Sequence, residues 1–334
     1  MTKPKLHNIS IIGDGGWGTT LGIYLAERGY PVTLWGVFEN YIRQMEKTRT
    51  NPKFLPGIPL PRKLTLTSDL HPAIEHQDLV ILAVPSQYLA EVLKKIKKTD
   101  YKKRIYLSVI TGIEPPSLQR MSQVIHHHLG PVRLAVLSGP TIAMEVARGI
   151  PTTAVVAAHS HQLAKNLQTV FNSKNFRIYT NNDIVGVELA GSLKNVIALA
   201  CGVCDGLGFG TNAKAAILTR GLAEIARLGV TLGAKKETFA GLAGLGDLVT
   251  TCVSQQSRNR SVGEQLGKGR SIESILGSMA TVAKGVETVK AAVKLSRKYK
   301  VSMPICTEVY NIIYRRKKAA RAVSDLMRRT PKPE

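Results

Sequence analysis

Acidic residues are scarce in this chain. Asp and Glu number 23 against 46 Lys and Arg, giving a formal charge of +23 over 334 residues. That balance favours anionic partners: phosphorylated metabolites, dinucleotides, nucleic acid or an acidic membrane surface. Much of the charge sits in peripheral runs, "KKIKKTDYKKR" (94–104) and "YRRKKAARAVSDLMRR" (314–329). Neither run interleaves aromatics in a nucleic-acid-binding pattern, so both read as solvated basic faces and no nucleic acid is expected. Long apolar runs are missing too: none reaches the roughly 18 residues that a membrane-spanning helix needs. The opening "MTKPKLHNISIIG" lacks the apolar region of a signal peptide, so a cytoplasmic protein is expected. Cysteine is rare, at four residues. Cys201 and Cys204 form a Cys-x-x-Cys, but a zinc site would need two further ligands, and a redox pair would belong near a βαβ unit. They read as core packing, and no metal is expected. Internal repeats and long low-complexity linkers are absent.

The chain is long enough for two domains with separate cores. Its first half alternates strand-like runs with helical ones: "ISIIG" (9–13), "PVTLWG" (31–36), "DLVILAVP" (78–85), "RIYLSVI" (104–110), "RLAVLSG" (133–139), "TTAVVAA" (152–158) and "FRIYT" (176–180). Continuous Val/Ile/Leu runs separated by helices indicate a mostly parallel, doubly wound sheet covered on both faces. After about residue 185 the strand signal stops. Residues 187–204, 213–231, 258–267, 271–279, 285–299 and 305–328 read as helix. An α/β domain over 1–185 followed by an all-α domain over 186–334 is the economical division.

"GDGGWG" (13–18) follows a strand and opens a helix, the context that a G-x-G-x-x-G phosphate-binding turn requires. Gly13 permits the tight turn, Gly15 lets backbone approach a pyrophosphate, and Gly18 lets the helix pack close to the strand. The helix N-terminus adds free N–H groups and partial positive charge. An acid at the end of the second strand would select NAD, and a basic residue there NADP. That strand runs instead into "WGVFEN" (35–40), where Val37 is neither and Glu39 lies slightly further on.

The second half carries one isolated charge. Between Glu188 and Asp205, Lys194 is the sole charged residue, set into "GSLKNVIALACGV" (191–203). Such a lysine either snorkels to the surface or is held in a site that uses it. Downstream, "GLAGLGDLVTTCVSQQSRNRSVGEQLGKG" (241–269) brings an irregular glycine stretch to Asp247. It then sets Ser257, Arg258, Asn259 and Arg260 at a helix start. Donors of this kind suit a phosphate ester, which a guanidinium binds bidentately. The plainer alternative is a helix cap by Ser257 with surface arginines. Desolvation lowers a lysine's pKa and a carboxylate neighbour raises it again. That balance suits a group that polarises a carbonyl and exchanges a proton with the alkoxide. Lys194, with Asp247 beside it, is the candidate.

Several blocks in order resemble the NAD(P)-dependent glycerol-3-phosphate dehydrogenases over nearly the whole chain. These are "GDGGWGTTL", "VPS" (84–86), "SGPTIAMEVARG" (138–149), "ELAGSLKNVIALACG" (188–202), "GLAGLGDLVTTC" (241–252) and "SRNR" (257–260). The resemblance implies a Rossmann-like domain, a helical domain, a homodimer, and interconversion of dihydroxyacetone phosphate with sn-glycerol 3-phosphate. It makes Lys194 the catalytic lysine and Asp247 its carboxylate partner, with Asp247 also on the substrate. Ser257, Arg258 and Asn259 match the substrate-phosphate group, with Arg258 also near the cofactor. Gly139 and Thr141 match substrate contacts, and Ala143 a cofactor contact. Gly13, Gly15, Gly16, Trp17 and Gly18 form the cofactor turn, and Val282 and Lys284 lie on the cofactor side. Three positions depart from the family's pattern: Val37 in place of a basic residue, Thr111 for the lysine of a "KGIE" block, and Lys284 for a glutamate. The cofactor is therefore read as NAD(P), with the choice between NAD and NADP open. Two other readings stand beside it: a related two-domain dehydrogenase for another hydroxy acid or sugar phosphate, and a basic nucleic-acid or membrane-surface protein on a vestigial nucleotide fold.

Overall fold

Alternate residues of each central strand are buried on opposite faces, which is what a sheet covered on both sides requires. Leu79 and Ile81 join one apolar cluster, while Val80 and Leu82 join the other. The structure is a computed structural model that describes residues 6–115, 117–279 and 283–331. It divides into two compact units, one of Met1–Thr111 with Gln119–Ile184, the other of Gly112–Leu118 with Val185–Glu334.

In the first unit the strands are β1 (Ile9–Ile12), β2 (Val32–Trp35), β3 (Thr50–Asn51), β4 (Leu55–Pro59), β5 (Leu64–Thr67), β6 (Leu79–Leu82), β7 (Ile105–Ser108), β8 (Arg133–Ser138), β9 (Thr152–Ala158) and β10 (Phe176–Asn181). Eight of them form one sheet in the order β10-β9-β8-β7-β6-β1-β2-β5, and β3 and β4 pair antiparallel as a separate ribbon. Every neighbouring pair in the large sheet is parallel except β8 with β9. Strand order reverses on either side of β1, flanked by β2 and β6. In open α/β sheets, ligands bind beyond the carboxyl ends of the strands at such a reversal. Each of the seven expected strand runs contains a strand. β3, β4 and β5 were not expected, because "TNPKFLPGIPLPRKLTLT" is crowded with Pro, Gly and charge that mask two short strands and an edge strand.

The second unit is helical around a single apolar cluster. Its central helix, Ile184–Gly206, is 23 residues long. Contrary to the expectation that no apolar run would be long enough to span a bilayer, this helix is, by length and composition; 89% of its most apolar window is nonetheless buried within the protein. It is a core helix. The stretch expected as one helix over 305–328 is two, Pro304–Tyr314 and Ala319–Met327. Arg316 breaks the run with a left-handed backbone (φ 52), and the Lys317 N–H turns back to the Asn311 carbonyl at 3.1 Å. Cys201, Cys204, Cys252 and Cys306 are buried free thiols, and among the described residues no three metal-ligating side chains cluster.

Two local devices fix this unit. Helix Pro304–Tyr314 has no side-chain cap of its own. Glu224, buried on helix Thr211–Thr231, supplies one by accepting the N–H groups of Ile305 (2.7 Å) and Cys306 (3.2 Å). Removing it strands two buried donors, so Glu224→Ala is expected to cost roughly 2–4 kcal/mol. In a thermal melt that is a fall of about 3–6 °C. An unchanged melt would show that the carboxylate does not cap this helix. The second device is a close crossing of helices Ile184–Gly206 and Arg258–Gly267. A β-carbon on Gly202 would lie 2.0 Å from the Arg260 carbonyl oxygen, and one on Gly206 2.1 Å from that of Glu264. From the other side, Gly263 and Gly267 meet the carbonyls of Leu199 (2.1 Å) and Val203 (2.4 Å). Only glycine at these four positions lets the two backbones meet.

Candidate active site

The turn after β1 is closed by the protein's own backbone. Gly13 has φ +128 and donates its N–H to the Trp35 carbonyl at 2.9 Å. A side chain there would lie 2.7–2.8 Å from the backbone of Ala83 and Val84. One on Gly18 would come within 2.0 Å of the Gly13 oxygen, and one on Gly16 within 2.7 Å of the Phe54 oxygen. Gly15 differs: nothing lies within 4 Å of its would-be side chain, and it caps helix Gly16–Glu27 without a side-chain hydrogen bond. Three glycines thus serve packing, and the fourth leaves an open approach to a helix N-terminus, the arrangement that accepts a phosphate. Ala143 lies beside Gly16, and its carbonyl accepts the Thr20 hydroxyl at 3.1 Å. Trp17 packs half-buried on the same unit's core. Gly139 follows β8 with φ +145, and the Thr141 hydroxyl donates to its carbonyl at 3.2 Å. Val37 is 53% exposed just past β2.

One residue of this turn carries a signal that the sequence reading passed over. Asp14 lies inside the glycine run, and its carboxylate reaches across to the end of β2. There a β-carbon on Gly36 would lie 2.6 Å from Asp14 Oδ2. That oxygen is buried and has no hydrogen-bond partner among the described residues. Burial pushes the carboxyl above its usual range, against the pull of a backbone hydrogen bond and of Lys53.

In the helical unit, Lys194 and Asp247 meet as an ion pair, their side chains 13% and 3% exposed. Lys194 does not snorkel; its ammonium turns to a carboxylate 53 residues away. Asp247 is delivered by a π-helical turn, Leu242–Gly246, that runs into helix Asp247–Val253. Gly244 makes that turn possible, since a β-carbon there would lie 2.1 Å from the Phe239 oxygen. Ser192, two residues before Lys194, accepts the Gly112 N–H (2.9 Å) and donates to the Gly112 carbonyl (3.1 Å). No local pattern in the sequence marks that anchor for the segment 112–118.

The "SRNR" residues divide their labour. Ser257 caps helix Arg258–Gly267, accepting the Arg260 N–H at 3.3 Å. Asn259 is buried; its amide donates to Asn195 Oδ1 (2.8 Å) and its oxygen accepts the Gly285 N–H (2.9 Å). It ties together the residue after Lys194 and the residue after Lys284. Arg260 is structural, with hydrogen bonds to the Ser254 carbonyl (3.2 Å) and Asp205 (2.6 Å). Asp205 also binds Lys214 at 2.6 Å; burial raises its pKa, but these two cations hold it below the ordinary value. Arg258 is left with no carboxylate partner among the described residues, and burial of its guanidinium lowers its pKa. Lys284 opens helix Lys284–Lys298, and desolvation, then the charges of Arg258 and Lys194, push it down to about 8. Three cations therefore gather near one carboxylate, a field that draws a phosphate dianion. Val282 lies outside the described residues.

A glycine turn at a strand-order reversal and a buried lysine–carboxylate pair with two further cations near it define a class: a two-domain, dinucleotide-dependent oxidoreductase. The family models for the NAD-dependent glycerol-3-phosphate dehydrogenase N-terminus and C-terminus match residues 8–164 and 183–324. A glycerol-3-phosphate dehydrogenase (NAD(P)+) of Prosthecochloris aestuarii is 46% identical, over 98% of this chain and 99% of the relative. One from Citrifermentans bemidjiense is 47% identical over the same shares. The crystal structure of the Coxiella burnetii glycerol-3-phosphate dehydrogenase superposes with a TM-score of 0.94 at 37% identity, covering 98% of this chain and all of that one. The chain belongs to the NAD-dependent glycerol-3-phosphate dehydrogenase family.

Proposed function

We propose that this protein interconverts dihydroxyacetone phosphate and sn-glycerol 3-phosphate with NAD(P)H, supplying glycerol phosphate for phospholipid synthesis. The buried Lys194–Asp247 pair carries this reading. An ammonium held in an apolar helix by a carboxylate is positioned as a proton donor rather than as surface charge. The first unit fits a dinucleotide: Gly15 is open, the helix N-terminus behind it is uncapped, and Asp14 offers an unused acceptor at the end of β2. Gly13, Gly15, Gly16, Trp17, Gly18 and Ala143 would hold the cofactor. When bound, its nicotinamide supplies or accepts the hydride at substrate C2.

The rest is the work of this chain's side chains. Lys194 donates a hydrogen bond to the substrate's carbonyl oxygen, polarises it, and gives up a proton as the alkoxide forms. In oxidation it takes that proton back. Asp247 holds the ammonium in place. Arg258 takes the substrate phosphate, with help from the Ser257 hydroxyl and the second amide N–H of Asn259. Gly139 and Thr141 are further candidates for substrate contact. We further assign the protein to the cytoplasm and read it as a homodimer; light scattering on the purified chain tests the dimer.

Two expected results arise here. Dihydroxyacetone without its phosphate should show kcat/KM lower by about 10²-fold or more, since it forgoes charge-assisted bonds worth roughly 1.5–3 kcal/mol each. Equal use of the two ketones would overturn the phosphate assignment and favour a different hydroxy compound. The second concerns pH. Lys284 titrates at about 8, so it is a cation below that pH and neutral above it. Because its native pKa lies below its unfolded value, the penalty for holding its charge is present below about pH 8 and is relieved as pH climbs toward 10.5. The attraction for phosphate moves the opposite way and is lost above that pH. KM for dihydroxyacetone phosphate should rise severalfold between pH 7 and 9.5, and Lys284→Gln should flatten that rise. A profile identical in both proteins would remove Lys284 from the phosphate field.

A further inference from the structure

The unspent carboxylate of Asp14 bears on which cofactor the protein takes. Its backbone is pinned: the Asp14 carbonyl accepts the Thr19 hydroxyl (3.1 Å) and the Asn51 amide (2.8 Å), and Asn51, fully buried, also donates to Thr19 Oγ1 (2.8 Å). The side chain therefore points consistently to Gly36, the first residue beyond β2. In a dinucleotide laid on this kind of turn, the pyrophosphate meets the helix N-terminus and the adenosine ribose lies toward the end of the second strand. NAD and NADP differ only at that ribose, by a 2′-hydroxyl in one and a 2′-phosphate in the other. An acidic residue contributed by the strand end itself ordinarily makes the distinction. Here the strand end contributes Val37 and Phe38, both exposed and neither charged. The carboxylate arrives at the same place from the glycine turn instead.

We propose that Asp14 is the specificity determinant of the cofactor site, its carboxylate accepting the adenosine ribose hydroxyls and making NAD(H) the preferred cofactor over NADP(H). The inference rests on the dinucleotide-dependent function proposed above. Asp14 Oδ2 is buried without a donor among the described residues, an arrangement whose cost a hydroxyl donor relieves. A 2′-phosphate brings two negative charges and no donor to the same oxygen. The charged and titratable groups that face Asp14 are Lys53 and Tyr41. Among the described residues, the cation whose charge reaches Asp14 is Lys53, and it is spread over the Phe54 ring at 5.1 Å. The backbone of the turn, by contrast, treats the two cofactors alike, so discrimination falls to this side chain.

Direct binding tests this without turnover. NADH and NADPH are titrated by cofactor fluorescence against the wild type, Asp14→Ala and Asp14→Asn, with thermal melts as a check on folding. We expect the wild type to bind NADH at least tenfold tighter than NADPH. In Asp14→Ala, NADH affinity should drop about tenfold while NADPH affinity holds or improves, bringing the ratio near one. Asp14→Asn, which keeps the shape and removes the charge, should recover NADPH binding in part. A ratio that persists in both variants, or a wild type that prefers NADPH, overturns the proposal while leaving the dehydrogenase reading intact. Failure of the wild type to bind either cofactor overturns both.

Discussion

Lys194→Ala should reduce kcat for dihydroxyacetone phosphate reduction by about 10²–10⁴-fold, the range that general acid–base catalysis contributes. The effect should fall mainly on kcat, because Arg258 and its neighbours still hold the phosphate. Deleting the lysine also leaves Asp247, 3% exposed, without its counter-charge. Breaking a buried ion pair from one side costs roughly 3–5 kcal/mol, so the single variant should melt earlier as well. Lys194→Met combined with Asp247→Leu separates the two effects. With both charges gone, stability should return to near the wild type while activity stays lost. If Lys194→Ala kept more than a third of the wild-type kcat, the lysine would not be the proton donor. If the double variant regained activity, the pair would be a structural device and the chemistry would lie elsewhere.

Gly202→Val should be the most damaging substitution away from the reacting groups. Its side chain would enter space held by the Arg260 carbonyl, 2.0 Å from the first new carbon, and backbone cannot retreat as a side-chain tip can. Overpacking a tight contact costs about 1–3 kcal/mol and sometimes more, and here the upper end is expected. A fall of about 4 °C in the melt follows for a chain of this size. Function should suffer in a particular way. Helix Arg258–Gly267 begins with Arg258 and Asn259, so pushing it outward moves the phosphate ligand and strains the Asn259–Asn195 hydrogen bond. KM for the phosphate substrate should rise more than kcat falls. Gly277→Ala, where nothing lies within 4 Å, is the matched control and should melt no lower than the wild type. Equal melts for the two variants would show that the helices are not held together by this crossing.

How much of this was legible in the sequence depended on whether a signal was local. Seven of the eight strands of the large sheet declare themselves by unbroken apolar runs, the edge strand β5 being the exception, and the first unit's glycine turn by its position between strand and helix. Strand direction is not written locally: "TTAVVAA" reads the same whether β9 runs parallel or antiparallel to β8. Nor is the break at Arg316, which contains neither Gly nor Pro. Lys194 stood out because it is the sole charge between Glu188 and Asp205, and Asp247 because a glycine stretch ends on it. That the two meet is a matter of tertiary folding, as is the use of Asn259 to bridge Asn195 and Gly285. Two signals were available and went unread. Gly202 with Gly206, and Gly263 with Gly267, have the small-xxx-small spacing that marks close helix contact. Asp14 is an acid inside a phosphate-binding turn, an odd place for negative charge unless a hydroxyl is to be recognised.

Residues 112–118 belong with the helical unit, although sheet-unit chain runs on both sides of them. Ser192 grips Gly112 through both of its backbone polar groups, and Ile113 is buried in the helical unit's core. Neither half of the protein is therefore a continuous stretch of chain. A single cut near residue 185 yields one fragment with an apolar strip cut off from its packing, and another with a hole where that strip belongs. Gene fusions, split-enzyme reporters and half-exchange chimaeras made at that one junction should come out insoluble. Those that also carry 112–118 across, with two further splices, should fold.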